Sequence, residues 1–187
     1  MRLVCSSPVS PPYAGNYWPS YCEENVWHLC ATSQVDWRSA VLISNANRTV
    51  YFHGQRAGQG ADKALVWDYH VICLERRAKT TWVLDADCAH GFEMPLTNYL
   101  SLSFPELGAD YASWRPRFRV IDGIEYRDGL ASNRSHMRDA NGAWLARPPP
   151  WACIGDGHNL GRLIDLDDSS SLGTVMDYCE LRKRFVA

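Results

Sequence analysis

Apolar positions recur at helical spacing only near the start of the chain, and strand-like runs dominate after that. Val26, Leu29 and Cys30 form one stripe at the three- and four-residue spacing of a helix. Ser20 is placed to cap that helix, and Glu23 follows three positions later as in a capping box. A helix is therefore predicted over residues 21–32. Ala40 to Ser44 and Thr49 to His53 are short β-branched runs, joined by Asn45-Ala46-Asn47-Arg48 as a hairpin turn. Residues 54–62 are glycine-rich and polar and predict a loop. The longest strand-like run is 64–74. It is expected to pair with 80–86 across Glu75 to Lys79. Another strand is predicted over 118–122, with partly helical segments at 98–107 and 171–184.

Two stretches resist regular structure. Residues 6–20 hold four prolines and predict an extended N-terminal arm over 1–20. Pro148-Pro149-Pro150 is stiff and cannot lie inside a helix. The expected fold is α+β, an α-β-α sandwich around a mostly antiparallel sheet. At 187 residues the chain fits a single domain, 1–187.

Composition narrows the function classes. A net charge of -2 without a long run of one sign argues against nucleic-acid binding, which needs a concentrated basic surface. No stretch is long and apolar enough to suggest a membrane span. The seven cysteines include no Cys-x-x-Cys pair, and the first residues lack the apolar core of a signal peptide. A reducing cytoplasmic or nuclear setting with free thiols is the expectation.

Three residues suggest chemistry. Cys22 falls at the predicted helix start, where the positive end of the helix dipole favours a thiolate. Glu23 and Glu24 oppose that effect locally. His70 lies in a run apolar on both faces, with Val66, Asp68 and Ile72 expected to share its face. Asp85 and Asp87 close the next strand, and either could orient His70. Thiol, imidazole and carboxylate in that combination point to acyl transfer. His70, Cys88 and His90 lack the close ligand spacing typical of zinc, so no metal site is predicted.

Several longer stretches sharpen the picture. Tyr21-Cys22-Glu23-Glu24-Asn25-Val26-Trp27, Leu42-Ile43-Ser44-Asn45 and Val66-Trp67-Asp68-Tyr69-His70-Val71 come first. Leu84-Asp85-Ala86-Asp87, Phe118-Arg119-Val120-Ile121, Ala131-Ser132-Asn133-Arg134-Ser135-His136-Met137 and Pro148-Pro149-Pro150 follow. In this order, and over nearly the whole chain, they resemble the protein N-terminal glutamine amidohydrolase family. Trp-Asp-Tyr-His-Val and Arg-Ser-His-Met are the specific matches. Asn133, where the family pattern has Asp, and Cys88, where it has Thr, are departures.

The resemblance implies a monomer with a transglutaminase-like or papain-like core and a triad of Cys22, His70 and Asp85. It selects Asp85 over Asp87. It implies deamidation of an N-terminal glutamine of a protein or peptide, feeding the N-degron pathway, without metal or organic cofactor. Discrimination against internal glutamine requires groups that hold the free α-ammonium, and leaving them unpaired would reject the wrong substrate. Glu23, Glu24 and Asp68 are the acidic candidates, with Trp67 and Tyr69 as pocket walls. His136 is a second histidine of interest, expected in a loop and held by its neighbours.

Overall fold

A computed structural model of the protein describes residues 16–32, 37–58 and 63–186. The predicted arm before residue 16 and the end of the 54–62 loop lie outside the described residues. Five α-helices are described: α1 (Cys22–Ala31), α2 (Leu96–Ser103), α3 (Gly123–Gly129), α4 (Leu160–Leu163) and α5 (Tyr178–Phe185). Eight strands accompany them: β1 (Arg38–Ser44), β2 (Val50–Phe52), β3 (Leu65–Trp67), β4 (His70–Arg77), β5 (Thr80–Leu84), β6 (Glu93–Pro95), β7 (Arg117–Asp122) and β8 (Thr174–Met176).

Six strands form one sheet in the order β6-β5-β4-β1-β7-β8, with every described pairing antiparallel. Alternation along β1 assigns its two faces. Ala40 and Leu42 join a core with Val26 and Leu29 of α1, Tyr126 of α3 and Leu160 of α4. Val41 and Ile43 join a second core with Leu96 and Tyr99 of α2 and Leu181 and Phe185 of α5. Helices thus cover both faces, so the central strands are apolar throughout rather than alternating. The expected layering and mostly antiparallel sheet are present.

Three local expectations are corrected. The first is the hairpin over 40–53. The turn exists, closed by Arg48 N–H to the Asn45 carbonyl at 3.0 Å, but β2 pairs with β3 in a separate two-stranded sheet. Both edges of β1 are already taken by β4 and β7. Asn45 redirects the chain: its Oδ1 accepts from Asn47 N and Thr49 N, while Nδ2 donates to the Ser113 carbonyl.

The second is the long strand over 64–74, which breaks at Asp68-Tyr69. There the Ser44 hydroxyl donates to the Asp68 carbonyl at 2.7 Å, and the Asp68 carboxylate accepts from Tyr69 N–H at 2.9 Å. Side chains satisfy backbone groups that a ladder would otherwise use. The period-two assignment of Asp68 and His70 to one face therefore does not apply across the break. The turn after β4 is also tighter than predicted, with Arg77 opposite Thr80.

The third is the capping box at Ser20. Ser20 sits at φ 68°, Tyr21 is the N-cap, and no side chain caps the helix. Asn25 performs the fixing instead: its Oδ1 accepts from Trp18 N at 2.8 Å and its Nδ2 donates to the Trp18 carbonyl at 2.9 Å.

Candidate active site

The start of α1 is held from several distant points. Trp18 Nε1 donates to the Arg147 carbonyl at 2.6 Å, and Tyr21 OH donates to the Ala146 carbonyl at 3.2 Å. Tyr126 OH reaches the Glu23 carbonyl at 3.1 Å. These bonds aim Cys22 at the beginning of β4, where the Val71 N–H bonds its thiol. Burial pushes the Cys22 pKa well up, and the charges of Glu23, Asp87 and Asp85 push it further against the Val71 contribution. The expected lowering by the helix dipole does not prevail, and the resting thiol is protonated.

His70 is fully buried and donates to Asp85. Its Nε2 lies 3.1 Å from Asp85 Oδ1. Trp67 stacks on the imidazole at 5.7 Å and 11°, and Phe52 meets it edge-on at 5.7 Å and 89°. Burial lowers the His70 pKa, but the adjacent Asp85 charge and hydrogen bond outweigh it and the net shift is upward.

Asp85 itself is buried, which disfavours its charge, yet His70, Gln55 and Tyr99 together hold its pKa below the ordinary value. Gln55 Nε2 and Tyr99 OH donate to its Oδ2 at 3.0 and 2.8 Å, and Asp87 N–H donates to Oδ1 at 3.0 Å. An ionised carboxylate only accepts, so Nε2 of His70 carries the proton and Nδ1 is left as the basic nitrogen of the neutral ring. Asp87 accepts from Tyr17 OH at 2.7 Å, and burial followed by the Asp85 charge raises its pKa. His70, Asp85 and Asp87 bring ligand atoms within 4.8 Å of one another. Asp85 already has both oxygens engaged by protein donors, so the set reads as a hydrogen-bond cluster rather than a metal centre.

Glu23 and Glu24 are neighbours with different surroundings. Glu24 is fully buried and bound by Arg134, whose Nε and Nη2 reach its two oxygens at 2.7 and 2.8 Å. Trp151 Nε1 donates to the same carboxylate at 2.6 Å. Arg134 is in the left-handed region at φ 62° and also donates to the Trp151 and Ala152 carbonyls. Glu24 is thus committed to anchoring the 134–152 segment and offers no free oxygen to a substrate amine.

Glu23 is equally buried but has spare capacity. Its Oε2 accepts from Tyr69 OH at 3.3 Å and lies 3.9 Å from Cys22 Sγ. Its Oε1 has no hydrogen-bond partner among the described residues.

The remaining predicted residues take other places. Asp68 is exposed, with its carboxylate turned to its own backbone turn. Trp67 packs on His70, and only Tyr69 of the two aromatic candidates touches Glu23. His136 is near Glu23 and stacks on His158 at 5.2 Å and 20°. Asn133 accepts from Ser135 N–H through its carbonyl oxygen at 3.0 Å, a bond that an aspartate would make equally well. Cys88 is a core residue bridged to Gln55. Gln55, Tyr99 and Arg134 were given no role by pattern; Tyr99 carried only the helical spacing of Leu96, Tyr99 and Leu100.

A mixed α/β fold that seats a half-buried thiol near a buried imidazole and its fixed carboxylate is suited to acyl transfer from amides or esters. Comparison with known proteins narrows that class. The family model for N-terminal glutamine amidase matches residues 17–185. The protein N-terminal glutamine amidohydrolase of Homo sapiens is 34% identical over 189 residues, covering 95% of this chain and 92% of its own. The protein of the same name from Caenorhabditis elegans is 33% identical, covering 90% of this chain and 95% of its own. That of Arabidopsis thaliana is 33% identical, covering 84% and 78%. The chain belongs to the N-terminal glutamine amidase family, a family of hydrolases acting on amide C–N bonds.

Proposed function

We propose that this chain deamidates the side chain of an N-terminal glutamine in proteins and peptides, giving glutamate and ammonia through a Cys22 thioester. The observation that carries the reading is the seating of Cys22 beside the first residues of β4, where His70 is already bonded to a fixed carboxylate. A transglutaminase-like or papain-like core is part of the same reading. One catalytic domain acting as a monomer in the cytoplasm or nucleus completes it; the free cysteines of the described residues suit a reducing setting.

The steps follow from the protonation states. With substrate bound, His70 Nδ1 takes the Cys22 proton as sulfur attacks the glutamine amide carbon. The tetrahedral oxyanion is met by the backbone N–H of Cys22, at the first position of α1 ahead of the N–H groups of Glu24 and Asn25 that bond the Tyr21 carbonyl. His70 returns its proton to the amide nitrogen, the C–N bond breaks, and ammonia leaves. Water then attacks the thioester, with His70 taking its proton and delivering it to the departing sulfur. Asp85 stabilises the imidazolium in both halves.

Recognition of the chain terminus falls to Glu23, whose free Oε1 is a carboxylate oxygen able to take the α-ammonium. Tyr69 fixes its other oxygen.

The test is product mass on paired Gln-initiated and Asn-initiated peptides, with ammonia release compared between wild type and Cys22→Ala. Deamidation adds about 1 Da without cleavage, because NH₂ is replaced by OH. A cut peptide or an amine adduct would point to a peptidase or a transglutaminase. Ammonia release no greater than that of Cys22→Ala would leave only binding.

A further inference from the structure

We propose that His136, as a neutral imidazole, accepts a hydrogen bond from the substrate α-ammonium and so acts as a specificity-determining residue beside Glu23. The inference rests on the amine-binding role given to Glu23 above.

Two polar atoms meet beside Cys22's neighbour on α1 without hydrogen-bond partners among the described residues, Glu23 Oε1 and His136 Nε2; His136 Nδ1 is unpartnered as well. Each is buried. Leaving such atoms unpaired costs stability, and a native protein retains them where a ligand supplies the missing bonds. His136 Nε2 stands 3.3 Å from Glu23 Oε1, within ion-pair distance, yet no aligned hydrogen bond joins them. An ammonium nitrogen about 2.9 Å from each atom would complete a triangle over that edge, at ordinary hydrogen-bond lengths.

Stoichiometry agrees. An α-ammonium has three N–H donors and no acceptor. Glu23 Oε1 and a neutral His136 Nε2 accept two of them. The Tyr69 oxygen, which donates its own proton toward Glu23 Oε2, keeps lone pairs for the third. Cys22 Sγ, 3.9 Å from Glu23 Oε2, puts the nucleophile beside the same carboxylate. A free amine gripped here sets its own residue's side chain near the sulfur. An acetylated or internal residue lacks the donors.

The neutral state matters. A protonated His136 would turn its acceptor into a donor and add a positive charge where the ammonium binds. The groups facing it are Glu23 on α1, Tyr69 before β4 and His158 before α4. The stacked His158 has its own pKa lowered by burial and by His136.

The experiment uses two variants. His136→Phe keeps a ring for stacking but removes the acceptor. His136→Gln keeps an acceptor that cannot be protonated. KM and kcat are measured on a Gln-initiated peptide at pH 7.5. Calorimetric Kd for the same peptide, free and N-acetylated, is measured in the Cys22→Ala background.

Loss of one hydrogen bond to a charged group predicts a rise of about tenfold or more in KM and Kd for His136→Phe. Its kcat and the weak binding of the acetylated peptide should hold within about twofold. His136→Gln should stay within about threefold of wild type. The proposal is overturned if His136→Phe leaves KM and Kd within twofold, if it lowers kcat instead, or if His136→Gln loses as much affinity as His136→Phe. If His136→Phe does not fold, His136→Leu takes its place under the same expectations. Absence of ammonia release by the wild type would sink the deamidation reading while the Kd arm still decides the amine site. Failure of Cys22→Ala to distinguish free from acetylated peptide would remove the amine site at Glu23 and His136, whatever the ammonia release of the wild type.

Discussion

Replacing Arg134 by methionine should destabilise the protein more than almost any other single change outside the apolar cores. The substitution leaves the Glu24 carboxylate fully buried with Trp151 as its remaining close donor, and strips the Trp151 and Ala152 carbonyls of theirs. Breaking a buried pair by removing one partner costs about 3–5 kcal/mol. For a chain of this length each kcal/mol lowers Tm by roughly 2–4 °C, so a drop of roughly 6–20 °C is expected. The assay is thermal and denaturant unfolding of Arg134→Met, Glu24→Leu and the double variant. The double variant should lose less than the sum of the singles, with a coupling of about 2 kcal/mol or more, because no charge remains buried alone. The pH dependence has a definite sign. An unpaired buried carboxylate has a raised folded pKa, so the Arg134→Met deficit is full at high pH and shrinks as pH falls toward the ordinary glutamate range. Additivity of the two single losses to within about 0.5 kcal/mol, or a deficit that does not change with pH, would refute the reasoning.

Two further outcomes can be stated briefly. Asp85→Asn should cut kcat by about 10²–10⁴-fold, since the amide can select the wrong His70 tautomer, and should move the acid limb of kcat/KM to lower pH. The stability that wild-type His70 gains from Asp85 is full below the imidazole's ordinary pKa of about 6.5 and is lost as pH rises through its raised folded value. Unfolding of the two proteins compared from pH 5 to 9 should therefore converge with rising pH. Iodoacetamide labelling of Cys22, followed by peptide mapping, should show a pH midpoint above the ordinary cysteine range, because burial and the Glu23 charge hold the thiol protonated. A midpoint below about 8 would contradict that.

The elements whose patterns arise from simple burial were legible. α1, β1, β5 and β7 all fall within two residues of their predicted spans, since their apolar runs face cores on one or both sides. Failures cluster where side chains replace backbone partners. Asn45 bends the chain away from a β1 whose edges are both occupied, and occupancy of an edge is a tertiary fact that no local window contains. Ser44 and Asp68 break a strand that hydropathy alone makes continuous. At the candidate site, residue type and the family resemblance put forward Cys22, His70 and Asp85, with Glu23, Glu24 and Asp68 beside them. They could not separate Glu23 from Glu24, which differ in their long-range partners: Arg134, 110 positions away, and Trp151 reach Glu24, whereas Tyr69 reaches Glu23. Gln55 and Tyr99 were illegible for the same reason.

The anchoring of α1 by remote parts of the chain bears on how the protein is made. Trp18 waits for Arg147, 129 positions later, and Glu24 waits for Trp151, 127 positions later. At ribosomal speeds of about 5–20 residues per second, roughly 6–25 s separate synthesis of the first helix from synthesis of the residues that fix it. Contacts of such long sequence separation also form late and slowly during folding. On a nascent chain Cys22 would emerge early, as an ordinary solvated thiol, with no neighbours to raise its pKa. Newly made chains should therefore be more open to oxidation and alkylation at this cysteine than finished ones, and the burial that delays its ionisation in the folded protein also serves as its chemical protection.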